Sequence, residues 1–216
     1  MTSRISAFDL AVHKKYVLDE MAWDRPKHSQ REVNTAGSIL IDPKTDPFAF
    51  TEALGIVNNW RASHYFPLNT FQMGLRGKAQ RVYHKSLVAQ RIKRLRSIRE
   101  KLERISRLSL AELQDIGGCR AVVDSVKSVK GIVNQYVDSW HKHKLLKTDD
   151  YIGKPNKNTG YRSYHLVYGY RSDVNQEYNG MRIEIQIRSH LQHLWATSVE
   201  IIDGLHSAGT QIESWG

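Results

Sequence analysis

The stretch Met181-Arg-Ile-Glu-Ile-Gln-Ile-Arg188 alternates between apolar and polar residues along its length. Side chains of a β-strand point alternately to its two faces, so this pattern predicts a strand that turns its isoleucines toward a core. Glu184 and Gln186 lie on the opposite face, together with Arg182 and Arg188. A face that carries a carboxylate, an amide and guanidinium groups suits a metal–phosphate site. The periodicity is equally compatible with a polar face that only contacts water.

Other elements can be placed around this strand. Residues 164–170 predict a second strand, joined to the first by a hairpin turn at Asn179-Gly180. Residues 119–123 predict a third strand, which follows a turn-prone pair of glycines. Apolar residues recur at helical spacing in four segments, residues 48–60, 92–108, 126–140 and 191–202. The predicted fold is α/β (α+β), a mixed β-sheet flanked by helices.

The N-terminal part of the chain has a different pattern. Residues 1–45 are mixed and polar, and we expect Pro26, Gly37 and Pro43 to interrupt any long element there. Pro67 is expected to limit the helix of residues 48–60. We therefore predict a mostly helical N-terminal extension, residues 1–75, that packs on a main domain of residues 76–216.

Length and composition exclude several classes of protein. The chain has 216 residues, of which 40% are hydrophobic, enough for a sizeable core. No apolar run approaches the roughly 18–20 residues of a membrane span, and no signal peptide is recognised. Cys119 is the only cysteine, which excludes an intramolecular disulfide and a thiolate zinc site, and we expect it to be inert. We therefore expect a cytoplasmic protein with no membrane partner.

The positive charge is concentrated in one segment. The net charge is +10, from 32 basic and 22 acidic residues, and the whole excess lies between Arg76 and Arg107. That segment contains 12 basic residues, opposed by Glu100 and Glu103. A local excess of cations indicates a polyanionic ligand such as a nucleotide or nucleic acid. A solvated basic helix face is the simpler alternative.

Three further positions carry functional chemistry. Asp115 precedes a predicted strand, where a short carboxylate can bind Mg²⁺ with a carboxylate of a neighbouring strand, or cap a backbone amide. Arg120 can grip a phosphate or stack on a base. Tyr161 follows a glycine in a lysine-bearing loop and offers a flat surface to a nucleobase, although a packed aromatic is the commoner role. The ten histidines show no zinc-site spacing, and the P-loop and Rossmann glycine patterns are absent.

Four motifs occur in order along the chain. They are Arg91-Ile-Lys93 followed by Lys101, Asp115-Ile-Gly-Gly-Cys-Arg120, Gly160-Tyr-Arg-Ser-Tyr-His165 and Ile183-Glu-Ile-Gln-Ile-Arg188. Each is weak alone, but the ordered set, over roughly residues 75–200, resembles the synthetase domain of the RelA/SpoT nucleotide pyrophosphokinases (alarmone synthetases). The resemblance implies a nucleotidyltransferase-like synthetase fold, in a small enzyme that acts alone.

The resemblance also implies a reaction and a donor site. In this family ATP donates its β,γ-pyrophosphate to a ribose 3′-hydroxyl, with Mg²⁺ as the cofactor. Arg91 and Arg120 match the positions that enclose the adenine, and Lys93 and Lys101 match positions near the ATP phosphates. Such chemistry depends on placing the nucleophile in line and on spreading cations over the oxygens that gain charge.

The same resemblance assigns the reacting groups and the acceptor site. Asp115 and Glu184 would hold Mg²⁺ as the catalytic pair, and Glu184 would draw the proton from the attacking hydroxyl. Tyr161 would stack on the acceptor purine. The side chains that would support the acceptor phosphates or the catalytic strand are His165, Gln186 and Arg188.

Two departures from the family pattern bear on the acceptor. The helix Trp195-Ala-Thr-Ser-Val-Glu-Ile-Ile-Asp203 lacks the histidine-rich continuation of nucleotide-making small synthetases, and residues 60–75 resemble the toxic branch. Some members of that branch modify the 3′-CCA end of tRNA and so block translation, and the concentrated charge would suit a tRNA backbone. The acceptor is therefore tRNA, which is slightly favoured, or GDP/GTP giving (p)ppGpp, with adenine nucleotides left open. An antitoxin protein and a homo-oligomer are further partners to test.

Two other classes remain as alternatives. A metal-dependent nuclease would also use Asp115 with Glu184 and Gln186, but it would not need Tyr161 or the basic set near Arg91. A non-catalytic RNA-binding module would use the basic helix alone. Transfer of label from ATP to an acceptor separates the pyrophosphokinase from both.

Overall fold

The computed structural model describes residues 23–137 and 142–212, with side chains up to residue 202. The helices are α1 (Gln30–Ile41), α2 (Pro47–Ser63), α3 (Tyr65–Val82), α4 (Leu95–Arg104), α5 (Val126–Val137) and α6 (His190–Ile212). The strands are β1 (Leu87–Ile92), β2 (Gly117–Val123), β3 (Lys144–Asp150), β4 (Tyr164–Gly169) and β5 (Arg182–Ser189). None of the helices in these ranges is long and apolar enough to cross a membrane.

The strands form one sheet in the order β1-β2-β5-β4-β3. Neighbours β2 and β5 are parallel, and the other neighbouring pairs are antiparallel. The predicted α+β class with a mixed sheet is thus confirmed. One face of the sheet is apolar and is covered by α3 and α5. Ile183, Ile185 and Ile187 are fully buried on this face, as the alternation in β5 predicts.

The prediction that residues 1–45 hold no long element is wrong. The helix α1 spans 12 residues and begins with a capping box between Ser29 and Glu32. In this motif the hydroxyl of the first residue and the carboxylate of the fourth satisfy backbone amides that a helix leaves free. Val33, Ala36 and Leu40 then bury one side of α1 in the core. Gly37, which we expected to interrupt a helix, lies within it.

Pro67 does not prevent a further helix from forming directly after α2. A second helix, α3, begins at Tyr65, and Pro67 lies in its first turn, where its missing amide proton costs nothing. The residue between α2 and α3 is His64. The predicted boundary between residues 75 and 76 falls within α3, and the division of the chain into two parts stays a prediction.

The basic segment is not a single helix from residue 92 to 108. Arg91 lies on β1, Lys93 follows that strand, and Lys101 lies on α4, which ends at Arg104. The apolar spacing that suggested one helix runs across the junction between a strand and a helix. The three proposed ATP contacts therefore come from three different backbone segments.

Three details of the sheet differ from the prediction. The strand β3 was not predicted. The glycine pair before residue 119 lies within β2 rather than in a turn. Gly117 is closely packed in this strand, since a Cβ at this position would lie 2.7 Å from Cδ1 of Ile183 and 3.5 Å from Cβ of His64. Asn179 and Gly180 do form a turn, with the amide of Met181 donating to the carbonyl of Tyr178, but the connection from β4 to β5 is longer than a two-residue hairpin.

Folding buries His64 in its neutral form. Its imidazole is 1% exposed, and Nδ1 donates to the carbonyl oxygen of Trp60 at 2.7 Å. Burial lowers the pKa of His64 from 6.5 to about 4, although this hydrogen bond acts in the opposite direction. The folded state therefore binds fewer protons than the unfolded state between these two values.

We expect His64 to make the free energy of unfolding fall as the pH drops from about 6.5 to 4, by about 3 kcal/mol in total. The test is urea denaturation between pH 7.5 and 4.5 for the wild type and for His64→Leu. The variant should lose most of the pH dependence over this range, whatever its stability at pH 7.5. Equal pH slopes in the two proteins would show that His64 does not titrate in this way.

Candidate functional site

The polar face of the sheet holds most of the predicted site residues. The register places Gly118 and Arg120 of β2 beside Glu184 and Gln186 of β5, and His165 of β4 on the other side of Gln186. A cleft opens on this face. Its lining residues are Ala89, Gln90, Arg91, Asp115, Gly118, Cys119, Arg120, Glu184 and Gln186. The reading of this face as a surface that only contacts water is wrong, because Glu184 is largely buried and Arg188 is 2% exposed.

Asp115 is held by two lysines at one end of the cleft. Its Oδ2 accepts from Nζ of Lys93 and its Oδ1 accepts from Nζ of Lys101, both at 2.9 Å. Burial alone would raise the pKa of Asp115, but the two ammonium charges and their hydrogen bonds outweigh it and lower the pKa. Asp115 is therefore ionised. In these contacts its two oxygens accept from lysine ammonium groups and not from a backbone amide. Arg61 donates to the carbonyl of Lys93 at 3.1 Å and so orders the segment that follows β1.

Glu184 belongs to a closed ring of hydrogen bonds at the centre of the face. Its Oε1 lies 3.0 Å from Nδ1 of His165, and its Oε2 accepts from Nε2 of Gln186 at 2.7 Å. Nε2 of His165 lies 2.8 Å from the hydroxyl of Tyr161. The ring closes through Arg188, which donates from Nη2 to Tyr161 at 2.5 Å and to Oε1 of Gln186 at 2.7 Å.

The donors and acceptors of this ring are mutually consistent. Because the hydroxyl of Tyr161 accepts from Arg188, its own proton is directed to Nε2 of His165, whose Nδ1–H then donates to Glu184. Burial would raise the pKa of Glu184, but the hydrogen bonds from His165 and from the amide of Gln186 lower it. The carboxylate is therefore ionised and oriented by two donors. Burial raises the pKa of Tyr161, which keeps its hydroxyl protonated.

Arg188 is buried and Arg120 is half-buried, and each of these cations has an unused hydrogen-bond donor. Within the described residues, Nε of Arg120 and Nη1 of Arg188 are buried and make no hydrogen bond. Burial and the charges of Arg188 and Arg91 lower the pKa of Arg120. Unsatisfied buried guanidinium groups are costly, so this corner of the site is suited to an anionic ligand.

Some predicted residues lie apart from this cluster. Arg182, at the start of β5, donates from Nη1 to the carbonyl of Glu112 at 2.6 Å, so it does not join the ring of polar side chains in the way the alternation suggested. Arg91 lies on β1 opposite Gly118, at the exposed rim of the cleft. Cys119 is buried, and burial raises the pKa of its thiol, which agrees with an inert role.

Two residues of the site were missed by the sequence analysis. Ser163 is fully buried, and its hydroxyl accepts from Nε of Arg188 at 3.4 Å. Nδ1 of His193, on α6, lies 3.4 Å from Nη1 of Arg120, and burial with the charges of Arg120 and Arg188 lowers the pKa of His193. Ser163 lies inside a motif that we had singled out, but the contact of His193 depends on how α6 packs against the sheet.

The residues that could hold a metal are few. Within residues 23–137 and 142–202, no three His, Cys, Asp or Glu side chains are grouped in a way that could hold an ion. The two carboxylates of the cleft, Asp115 and Glu184, are close enough for the charge of Asp115 to affect the pKa of Glu184. Mg²⁺ is commonly bound by one or two carboxylates together with substrate phosphates, so this pair fits that ion.

Comparison with known proteins agrees with this geometry. The 85 residues that match best in "GTP pyrophosphokinase YjbM" of Bacillus subtilis (strain 168) are 34% identical and make up 39% of this chain and 39% of that protein. The chain thus matches about two fifths of the length of this curated relative.

Solved structures extend the likeness over more of the fold. Small alarmone synthetase 1 from Bacillus subtilis, bound to its product pppGpp, is 27% identical, with a TM-score of 0.56 over 66% of this chain and 77% of that chain. A GTP pyrophosphokinase family protein from Streptococcus pneumoniae is 30% identical, with a TM-score of 0.56 over 67% of this chain and 74% of that chain.

The family itself is settled by the match to a family model. Residues 90–201, slightly more than half of the chain, match the model described as "Region found in RelA / SpoT proteins". This range includes the second half of β1, all of β2 to β5, most of the cleft lining and the closed ring of hydrogen bonds. The resemblance drawn from the four sequence motifs is confirmed, and the chain belongs to the RelA/SpoT family.

Proposed function

We propose that this protein is a pyrophosphokinase that transfers the β,γ-pyrophosphate of ATP to a ribose 3′-hydroxyl. The observation that carries the proposal is the ionised Glu184, held by His165 and Gln186 beside Arg120 and Arg188, each of which has one buried N–H donor without a hydrogen-bond partner among the described residues. A base fixed next to unused cationic donors is what phosphoryl transfer requires. The names of the relatives, GTP pyrophosphokinases and an alarmone synthetase, support the same reaction.

ATP occupies the cleft between β1 and β2 in this proposal. Ala89 and Gly118 have small side chains, which leave the floor of the cleft open between Arg91 and Arg120. A planar adenine fits between two guanidinium groups, which stack on aromatic faces. Lys93 and Lys101 lie further along the cleft, where their ammonium groups would face the phosphates.

The acceptor approaches from the side of β4 and β5. Tyr161 offers its ring to the acceptor base, and Arg188, with Nη1 free of protein partners, faces the acceptor phosphates. Glu184 takes the proton of the 3′-hydroxyl as its oxygen attacks the β-phosphorus. The bond between that phosphorus and the oxygen of the α-phosphate breaks, and AMP leaves. His165 and Gln186 hold the carboxylate oxygens throughout.

We also propose Mg²⁺ as the cofactor, held by Asp115 and Glu184. The ion would neutralise charge on the transferred phosphates when it is bound. Each oxygen of Asp115 accepts one lysine hydrogen bond, so an ion there would share the carboxylate with Lys93 and Lys101 or displace one of them. The phosphates of ATP are the natural alternative partners for those ammonium groups.

We propose a guanosine di- or triphosphate as the acceptor, which the names of the relatives support. One of the arguments for tRNA was the surplus of cations, and two of those cations have carboxylate partners: Arg96 pairs with Glu100 at 2.7 Å and Arg99 with Glu103 at 3.6 Å. The 3′ end of tRNA remains the alternative acceptor. The antitoxin, the homo-oligomer and the cytoplasmic location stay predictions.

The decisive experiment incubates the purified protein with Mg²⁺ and ATP labelled in the γ-phosphate. GDP, GTP, AMP and deacylated tRNA are offered in separate reactions. Label that moves to GDP or GTP supports the proposal, and label on the 3′ end of tRNA replaces the acceptor but keeps the chemistry. No transfer to any acceptor would refute it, and RNA cleavage without ATP would support the nuclease.

Removing the paired arginines of α4 tests the choice of acceptor. With GDP, we expect Arg96→Ala/Arg99→Ala to change kcat/KM by less than about twofold, because exposed ion pairs contribute little. The side chain of Arg96 is 78% exposed, far from a buried contact. If tRNA is the acceptor, the same variant should bind it more weakly and show a smaller salt dependence. Arg120→Ala is the positive control and should lose most activity with either acceptor.

A further inference from the structure

The helix α6 contacts the loop that carries Tyr161 through a single tryptophan. The indole Nε1 of Trp195 donates to the carbonyl oxygen of Thr159 at 2.9 Å. Trp195 is nevertheless 54% exposed. A buried tryptophan stabilises a fold mainly through the apolar area it removes from water, and at this exposure that contribution is much reduced. The directed hydrogen bond is therefore the distinctive feature of this side chain.

The loop itself is shaped so that it meets this indole. Gly160 has φ +65°, a backbone conformation that a residue with a Cβ rarely adopts. A Cβ at this position would lie 3.5 Å from Nε1 of Trp195. The amide of Gly160 donates to the carbonyl of Asn156, and the amide of Asn156 donates to the carbonyl of Tyr161, at 2.8 and 3.2 Å. Residues 156–161 are thus a closed turn with the indole against one side.

Tyr161 comes directly after this turn. Its hydroxyl is bound by Arg188 and His165, and its ring is contacted by the Arg188 guanidinium and by Tyr151, but these contacts hold the side chain and not the backbone of the turn. The backbone that carries the ring is held from the other side, through the carbonyl of Thr159. Both attachments are needed to fix the plane of an aromatic ring on which a base stacks.

We propose that Trp195 is a positioning residue for the acceptor: by holding Thr159 and Gly160, it sets the backbone from which Tyr161 meets an acceptor purine. This inference rests on the proposed function for the identity of the ligand, but the contact between α6 and the loop does not. Trp195 touches neither ATP nor the reacting atoms in this arrangement. Its loss therefore weakens acceptor binding and spares the donor site.

The test is Trp195→Phe, which keeps an aromatic ring against Gly160 and removes the N–H donor. We expect KM for GDP to rise roughly three- to tenfold, the effect of losing one hydrogen bond, with KM for ATP and kcat within about twofold. The matched control is Leu194→Ala, which removes an exposed side chain from the same turn of α6. An unchanged acceptor KM in Trp195→Phe, or an equal rise in both KM values, would overturn the proposal.

A second measurement does not depend on activity. Lys157 lies exposed in the turn and is followed by Asn158, so trypsin can cut after it when the turn opens. We expect native-state cleavage after Lys157 to be roughly three- to tenfold faster in Trp195→Phe than in the wild type or in Leu194→Ala. If the wild type transfers label to no acceptor, the proposed function fails, and this rate alone decides the role of Trp195. Equal cleavage rates would show that Trp195 does not hold the turn.

Discussion

Replacing Glu184 by glutamine is expected to lower kcat for pyrophosphate transfer by about a thousandfold. The amide has almost the same shape as the carboxylate but cannot take a proton from the attacking hydroxyl. The carbonyl oxygen of the new side chain can still accept from His165, so the ring of hydrogen bonds loses only part of its contacts. Single-turnover assays with labelled ATP and GDP measure the effect, and the Kd for ATP should change by less than about threefold.

The control for this variant is Glu52→Gln, which removes an exposed carboxylate from α2. Both proteins should unfold within a few degrees of the wild type, since neither change alters the core. A Glu184→Gln protein with a tenth or more of the wild-type kcat would mean that another group takes the proton. A cellular effect that survives this change would instead support the RNA-binding module.

Asp115→Asn is expected to lower kcat/KM for ATP by about a hundredfold and to raise the Mg²⁺ concentration that gives half-maximal activity. The variant removes the charge that both Lys93 and Lys101 face. It should also destabilise the protein, by about 1–3 kcal/mol, because two largely buried ammonium groups lose the carboxylate charge and one of them loses its acceptor. Magnesium titrations of activity and urea denaturation near pH 7.5 provide the two readouts.

Glu103→Gln is the matched control, because it also removes a carboxylate that pairs with a cation, but in an exposed pair on α4. Its effect on stability should stay within about 0.5 kcal/mol. If Asp115→Asn and Glu103→Gln behave alike in both assays, the interaction of Asp115 with the two lysines has no special role. A loss of stability without any change in the Mg²⁺ requirement would assign Asp115 a structural role only.

The parts of the fold that were predicted are those with a clear period. The alternation in β5 correctly placed Glu184, Gln186 and Arg188 on one face and three isoleucines on the other. By contrast, β3 is a charged edge strand, Lys144-Leu-Leu-Lys-Thr-Asp-Asp150, with no alternation that could identify it. The other edge strand, β1, is short and mostly exposed; it was not predicted, and its last residue, Ile92, was assigned to the helix that follows.

The helices α1 and α3 were missed because a single glycine or proline was given more weight than the surrounding sequence. From the sequence, we expect Gly37 to interrupt any long element and Pro67 to limit the helix of residues 48–60. Gly37 instead lies inside α1, and Pro67 lies in the first turn of a further helix, α3. The signal that could have identified α1 was present, since Ser29 and Glu32 have the spacing of a capping box. The local sequence therefore marks the start of α1, and the error was to treat Gly37 as a helix break.

For the candidate site, the sequence predicts which residues take part better than it predicts which of them contact one another. The motifs indicated Asp115 and both lysines, but as separate contacts of a metal and of phosphates. That the three bind one another depends on where β1, α4 and the start of β2 meet. The contact between His165 and Glu184 likewise follows from the register of β4 with β5, which no local pattern determines.

The closed ring of hydrogen bonds has a consequence for engineering. All its members lie between residues 161 and 188, within one loop and the β4–β5 hairpin, whereas the ATP side is built from β1, α4 and β2. The proposed acceptor site is thus encoded largely by one contiguous segment, to which Trp195 of α6 and the turn before Tyr161 are added. We expect that transplanting residues 156–195 from a homologue with another acceptor exchanges acceptor specificity and leaves the proposed ATP site in place.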